Sequence, residues 1–453
     1  MFRKINQLFL LLIVNMNLLK NILFWTLLTS SFLGYYFVMY ELPRNQFYPL
    51  IGIIVGLFLI YWLLHNFWDE NVLIIISLGV LFRLLVLFAF PNLSDDVFRF
   101  VWDGRLTVNG ENPFLHMPSW YLESKNIIPG LNQELYDQLN SHEYFTVYPP
   151  ILQYIFAFSV WLFPNDIYAS TIVMKCFIFL AECGSIAILL KLFKQFEIHA
   201  KYIAIYALNP LVIIELTGNL HFEGLMIFFL LFAVWLLAKN KVILSAGAMS
   251  VAISIKLLPL MFLPFLIKRL GFKISALYFG CIVLLTTLFF APFLSDEIFL
   301  NFFQSIDLYF RKFEFNASIF YIVRWAGFYI KGWNIIQTAG PVMSLIAAFI
   351  ILFIAFRERI VTTKSLLQKM SIVLLLYFGM ATIIHPWYVT TLVAFTAFWK
   401  WRFPLVWSLL IPLSYFAYSN SNYSENLWLI AIEYIAVLLF IIYEWQRGWH
   451  EEY

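Results

Sequence analysis

Charge is what this chain has least of: Asp, Glu, Lys and Arg together make up 12% of 453 residues, about half the share of a soluble domain. Cysteine is also scarce. The three present (Cys176, Cys183, Cys281) all fall in apolar segments, at spacings that fit neither a metal site nor a disulfide framework, so they read as packing residues. No glycine-rich phosphate loop occurs, which argues against a nucleotide cradle. Low-complexity tracts and polar linkers are missing too. The net charge of +3 is too small to suggest a nucleic-acid partner. Met1-Phe2-Arg3-Lys4 precedes an apolar run without a small-residue cleavage site, so the segment is expected to be retained.

Hydrophobic residues, by contrast, make up 62% of the chain. They are continuous rather than alternating, which excludes a transmembrane β-barrel. Runs near the bilayer-crossing length of about 20 residues recur at 21–39, 47–65, 72–91, 168–190, 202–217, 222–238, 242–256, 257–267, 274–292, 335–356, 366–384, 387–399, 404–418 and 427–446. The reading is an all-α polytopic membrane protein of about 12–14 spans. Basic residues collect at Arg3/Lys4/Lys20, Lys191/Lys194/Lys201, Lys239/Lys241, Lys268/Arg269/Lys273, Arg357/Arg359/Lys364/Lys369, Lys400/Arg402 and Arg447. The positive-inside rule puts these clusters, and both termini, in the cytoplasm. Segments 150–163 and 316–331 do not fit as full spans and read as helices in or near the outer interface. Two large outer loops remain, about 92–149 and 295–334, the first being the longest polar stretch.

Ionisable residues gather on this outer side. Asp95 and Asp96 follow a span directly. Ser94 is a fitting helix N-cap, and acids suit a first helical turn. A carboxylate shielded at the bilayer edge would also be a good general base. A helix over 95–108 puts Asp96, Arg99 and Asp103 on one face, as a surface ion network or as a phosphate-gripping arginine between acids. Tyr148-Pro149-Pro150 makes a rigid start to the interfacial segment. Asn219-Leu220-His221-Phe222-Glu223 brings a His/Glu pair to a span boundary. Lys256, before Leu257-Leu258-Pro259, either snorkels or meets a lipid phosphate. His385-Pro386-Trp387-Tyr388 mixes belt aromatics with a histidine. Asn316 and Arg324 lie in the second outer loop. Arg83, Lys175 and Glu182 are deeper and are candidates for a bundle interior or a cavity.

Asp95-Asp96-Val-Phe-Arg-Phe-Val-Trp-Asp103-Gly-Arg105 followed by Asn112-Pro113-Phe114 resembles the first outer loop of GT-C superfamily glycosyltransferases, and most of all the polyprenyl-phosphate-mannose-dependent mannosyltransferases. Tyr148-Pro149-Pro150, Lys256-Leu-Leu-Pro259, Phe315-Asn316-Ala-Ser318 and His385-Pro386-Trp387-Tyr388 follow in the order such proteins show. The resemblance covers about residues 72–400 of one membrane domain, with extra helices in 1–71 and C-terminal helices in 401–453. It implies a GT-C-like bundle with a catalytic first outer loop. It also implies a polyprenyl-phosphate sugar donor, mannose by resemblance, and a hydroxyl acceptor on a glycan or glycolipid. Transfer would invert the anomeric centre. The sidedness of the basic clusters puts this at the outer face, and the absence of eukaryotic sorting signals points to a bacterial inner membrane. The implied base is Asp96 or Asp95, with Asp96 preferred by its place before the Phe-Arg-Phe pattern. Asp103 would shape the acceptor site. Lys256, Arg324 and His385 would meet the donor phosphate, and Arg99, Arg105, Tyr148, His221, Glu223, Asn316, Trp387 and Tyr388 complete the implied substrate-binding set. No cofactor beyond the lipid-linked donor is called for, and a divalent metal is not demanded.

Two other readings compete. A transporter or flippase of a lipid-linked glycan would keep polar residues near the bilayer midplane and show inverted repeats. A lipid-glycan polymerase or ligase would centre its site on a larger, later outer loop.

Overall fold

The computed structural model describes residues 20–64, 71–123 and 127–448. The expected Arg3/Lys4 cluster and most of the N-terminal apolar run lie outside the described residues. Within them the chain is all-helical, and its only β-type pairing is a parallel bridge between Phe315 and Ile383. Six helices are long and apolar enough to cross a membrane: α1 (Lys20–Glu41), α2 (Phe47–Leu64), α6 (Ile167–Gln195), α10 (Phe272–Phe293), α13 (Ile336–Arg357) and α17 (Leu427–Gln446). A seventh candidate, α7, is a pair, Ala200–Ala207 and Pro210–Gly218, bent by 51°.

Shorter helices fill the remaining expected segments, and one more, Ile298–Arg311, lies within the stretch 295–334 expected as loop. They are α3 (Val72–Leu87), α4 (Asp96–Val108), α5 (Pro150–Leu162), α8 (Glu223–Ala238), α9 (Val242–Ile255), α11 (Ile298–Arg311), α12 (Ile319–Lys331), α14 (Thr363–Met380), α15 (Pro386–Thr396) and α16 (Phe403–Ser419). The expected spans 242–256 and 257–267 become α9 and a broken return, Leu258–Phe262 then Pro264–Leu270. Pro259 and Pro264 keep that return from being one continuous helix.

Large side chains on the outer helices face away from the bundle, among them Val283 and Leu284 of α10, Leu345 and Phe349 of α13, and Ile435 and Leu439 of α17. So much exposed apolar surface is untenable in water and suits lipid contact. The inner helices are locked by buried charge. Arg83 of α3 pairs with Glu182 of α6 at 3.0 Å, both fully buried. Its Nη1 also donates to the Gly79 and Ala207 carbonyls at 2.9 and 2.6 Å. Glu182 in turn accepts from Tyr206 and Thr217 of α7 at 3.1 and 2.7 Å. Lys175 Nζ donates to the Val86 and Ala89 carbonyls at 2.8 and 2.5 Å, closing the C-terminal end of α3. The three deep charges are thus satisfied inside the protein, and they fix α3, α6 and the bend of α7.

The basic clusters lie at linked helix ends. Arg269 forms a two-pronged pair with Glu358 at 2.7 and 2.6 Å. Arg402 lies over the Tyr202 ring, and Lys191 over the Trp235 ring. The motif residues converge on the opposite ends of these helices.

Candidate active site

The site begins where α3 gives way to α4. The connecting strip is pinned from two sides. Asn92 Nδ2 donates to the Val38 and Leu42 carbonyls at 3.1 and 2.7 Å, and the Leu93 amide donates to Asn219 Oδ1 at 3.3 Å. Helix α4 then starts at Asp96, with Asp95 as the flanking residue. Ser94, the expected cap, accepts from the Asp96 amide at 3.3 Å but sits one position too early to be the helix's N-cap. Asp96 lies in the first turn, where a negative charge is favoured.

The two adjacent acids have different surroundings. Asp95 forms an ion pair with Arg44, from the link between α1 and α2. Asp96 accepts a hydrogen bond from Asn140 Nδ2 at 2.8 Å. It keeps part of its surface open yet sits deep enough that desolvation raises its pKa above the ordinary carboxylate value. His221 and the Asn140 hydrogen bond pull it back down, while Asp95 and Glu223 push it up.

Farther along α4 the charged side chains turn inward. Arg99 Nε pairs with Asp103 Oδ1 at 2.8 Å, and its Nη1 donates to the Ser141 and Tyr144 carbonyls, each at 3.0 Å. Asp103 Oδ2 accepts from Thr146 at 2.5 Å and Gln153 at 3.2 Å. Arg105 donates to the Gly130 and Pro164 carbonyls at 2.5 and 3.2 Å. Tyr148 packs its ring against Phe100 and Phe156. These four sequence candidates therefore brace the loop between α4 and α5 against those two helices. Close packing of the two helices depends on Gly104, where a Cβ would lie 2.7 Å from the Phe156 carbonyl oxygen.

A second group comes from α7, α8, α9 and α15. A π-helical turn, Ile213–Gly218, ends α7. Leu220 follows in the left-handed region at φ 62°, which is rare for a bulky residue and typical of strained functional segments. This turn presents His221, whose Nδ1 lies 2.8 Å from the Glu215 carbonyl oxygen and 3.4 Å from the Glu215 carboxylate. Glu215 also accepts from Tyr415 at 2.6 Å. Glu223 pairs with Lys256, whose Nζ lies 4.2 Å from the centre of the Tyr388 ring.

Trp387 stacks between two imidazoles, His221 at 3.7 Å and His385 at 4.3 Å between ring centres. Phe315 extends the stack on His385 at 4.8 Å. Burial, helped by the neighbouring His221 and Lys256, pushes His385 down to about 3. His221 Nε2, His385 Nδ1 and Asn219 Nδ2 are buried without a hydrogen-bond partner, so each has capacity for a polar ligand.

The link between α11 and α12 joins through backbone. The Phe315 amide donates to Thr382 O at 3.0 Å, and the Ile384 amide donates to Phe315 O at 2.9 Å. Asn316, also left-handed at φ 47°, donates its amide to Glu425 at 2.6 Å and its Nδ2 to Glu433 at 3.2 Å. Burial raises Glu425 above its ordinary range, and its hydrogen bonds with Tyr321 and the Asn316 amide oppose that rise. Arg324 pairs with Glu314 and lies over Tyr321, and connects to the Phe315 end of the stack through Tyr321, Glu425 and the Asn316 amide.

Sequence reasoning singled out His221, Glu223, Lys256, His385, Trp387 and Tyr388, and the structure brings them together near Asp96. It passed over Arg44, Asn140, Glu215 and Glu425. Arg44 did carry a signal, because it is the only Lys or Arg between Lys20 and Arg83 and falls between two expected spans, at the helix ends opposite to those of the basic clusters. Among the described residues, no group of three or more His, Cys, Asp or Glu side chains is arranged to hold a metal ion.

Residues 39–270, just over half of the chain, match the family model described as Alpha-(1->6)-mannopyranosyltransferase, N-terminal domain. The match starts upstream of residue 72, so it takes in Arg44 and α2. No curated protein matches the chain.

Proposed function

The chain belongs to the alpha-(1->6)-mannopyranosyltransferase family, and from that premise we propose that it transfers mannose from a polyprenyl-phosphate donor to a hydroxyl acceptor, with inversion and with Asp96 as general base. The observation that carries this reading is convergence. One raised, partly open carboxylate lies within electrostatic reach of His221 and Glu223; Glu223 is paired with Lys256 and His221 stacks on Trp387 of the His385–Trp387–Tyr388 segment, each contributed by a different helix.

In the proposed step the acceptor oxygen attacks the anomeric carbon from the face opposite the phosphate. Its proton passes to the Asp96 carboxylate as the new C–O bond forms. The bond from the anomeric carbon to the phosphate oxygen breaks, and polyprenyl phosphate leaves with the electron pair. Lys256 supplies positive charge for that leaving group. The unpaired nitrogens of His221 and His385 supply hydrogen-bonding capacity for sugar hydroxyls or phosphate. The raised pKa of Asp96 makes it a stronger proton acceptor than a solvated carboxylate. The basic helix ends are assigned to the cytoplasm and the site to the outer face of a bacterial inner membrane.

The transporter reading loses its main support, since Arg83, Lys175 and Glu182 hold one another's helices rather than lining a polar path. The test uses purified protein in lipid vesicles with polyprenyl-phosphate-[³H]mannose and a membrane glycolipid extract. The expected product is a labelled glycoside of inverted configuration. Label that crosses the vesicle without a new glycoside would replace this reading with transport.

A further inference from the structure

Arg44 reaches the site from the short link between α1 and α2. Its guanidinium pairs with Asp95, and its Cζ lies 4.6 Å from the centre of the Tyr418 ring. Asn92 ties that same link to the strip leading into α4 by bonding the Val38 and Leu42 carbonyls. Two adjacent acids therefore have unlike partners. Asp95 has a fixed cation, whereas Asp96 has a neutral amide donor, Asn140.

We propose that Arg44 is a positioning residue that occupies and neutralises Asp95, so that Asp96 alone of the two acids is left to take the acceptor's proton. The proposal rests on the reading of Asp96 as the base.

The effect of Arg44 is electrostatic. Without a counter-charge on Asp95, two carboxylates on consecutive residues would compete, and one would ionise only at raised pH. The other groups facing Asp96 are fewer than they first look. His221 comes from the turn after α7, Glu223 from α8 is paired with Lys256, and Tyr418 comes from α16. Among the described residues, Arg44 is the cation that contacts Asp95. Asp95 is also partly exposed, at 37% of its side chain, so the effect is moderated by solvent and is of the order of one pH unit.

The experiment is the pH dependence of kcat/KM for mannosyl transfer from a short-chain polyprenyl-phosphate mannose to the glycolipid extract. A base must be ionised to act, so the acid limb of this profile reports Asp96. Arg44→Gln leaves the Asp95 charge bare and is expected to move the limb about one unit to higher pH, while Arg44→Lys keeps it in place. Asp95→Asn leaves Arg44 as an unopposed cation and is expected to move the limb to lower pH. The double variant is expected to return it close to wild type. The Asp95→Asn limb remains readable even if Arg44→Gln does not fold. A fixed limb in both Arg44→Gln and Asp95→Asn, with loss only in plateau rate, would overturn the proposal. So would a raised donor KM with an unmoved limb in Arg44→Gln, which would make Arg44 a donor ligand instead. Undiminished transfer by Asp96→Asn would instead remove the Asp96 reading itself, a result distinct from either.

Discussion

The His221 imidazole lies face to face with the Trp387 indole, ring centres 3.7 Å apart and planes 16° from parallel. Residues distant in the sequence are thereby held in one register, and His385 stacks on the other face of the same indole. Trp387→Ala removes both contacts. At about 0.5–1.5 kcal/mol for each aromatic pair, kcat/KM for mannosyl transfer is expected to fall about tenfold to a hundredfold. Trp387→Phe is expected to fall less. Steady-state kinetics of the two variants checks this.

His385 gives a stability prediction with a defined sign. Its pKa is held down to about 3 in the folded protein, whereas an unfolded histidine titrates near about 6.5. Between these values the unfolded chain binds a proton that the folded chain refuses. The contribution of His385 to stability is therefore complete above the unfolded value and is lost as pH falls toward the folded one. The Tm of the wild type in detergent is expected to drop more between pH 6.5 and 4 than that of His385→Asn, whose site has nothing to protonate. Parallel curves for the two proteins would refute it.

Asp103 and Asp96 lie on one helix but are expected to fail differently. Asp103 is fully buried and bound by Arg99, Thr146 and Gln153. Asp103→Ala leaves a buried guanidinium without its counter-charge, and is expected to cost about 3–5 kcal/mol of stability. Asp96→Asn keeps a hydrogen-bonding group beside Asn140 and is expected to change stability by no more than about 1 kcal/mol. Chemical denaturation of both variants separates a brace from a site residue.

Gly104 sets the spacing of α4 and α5. A Cβ there would press on the Phe156 backbone, which has no rotamer to yield. Gly104→Ala is expected to cost about 1–3 kcal/mol. It should also lower the transfer rate, by up to about a hundredfold if α4 carries Asp96 1 Å out of place. Denaturation and initial-rate assays on this one variant measure both effects.

Much of the helical layout was legible in the sequence, because continuous apolar runs and their polar breaks are local signals. Helix α4 begins within one residue of the expected start and ends at the expected residue, Val108. What sequence missed is tertiary. The run 202–217 reads as a straight span, yet Asn209-Pro210 bends it, and a π-turn then re-aims His221. Pro210 was a visible warning of that bend.

Spacing put Asp96, Arg99 and Asp103 on one face and offered an ion network there, but did not reveal that the Arg99–Asp103 pair would be buried and tied to the loop backbone. Side-chain type was equally mute on which of two neighbouring acids is paired. That depended on Arg44, some fifty positions upstream, and on a contact that no periodicity encodes. Glu215 and Glu425 were passed over for the same reason, since their partners Tyr415 and Asn316 are remote in the chain.

The most direct measurement is the initial rate of label transfer from polyprenyl-phosphate-[³H]mannose by folded Asp96→Asn beside the wild type, in the same vesicles and with donor binding measured in parallel. Loss of a general base is expected to slow transfer by about a hundredfold to ten-thousandfold, with donor binding retained. A variant that binds donor and transfers at the wild-type rate would contradict Asp96 as the base.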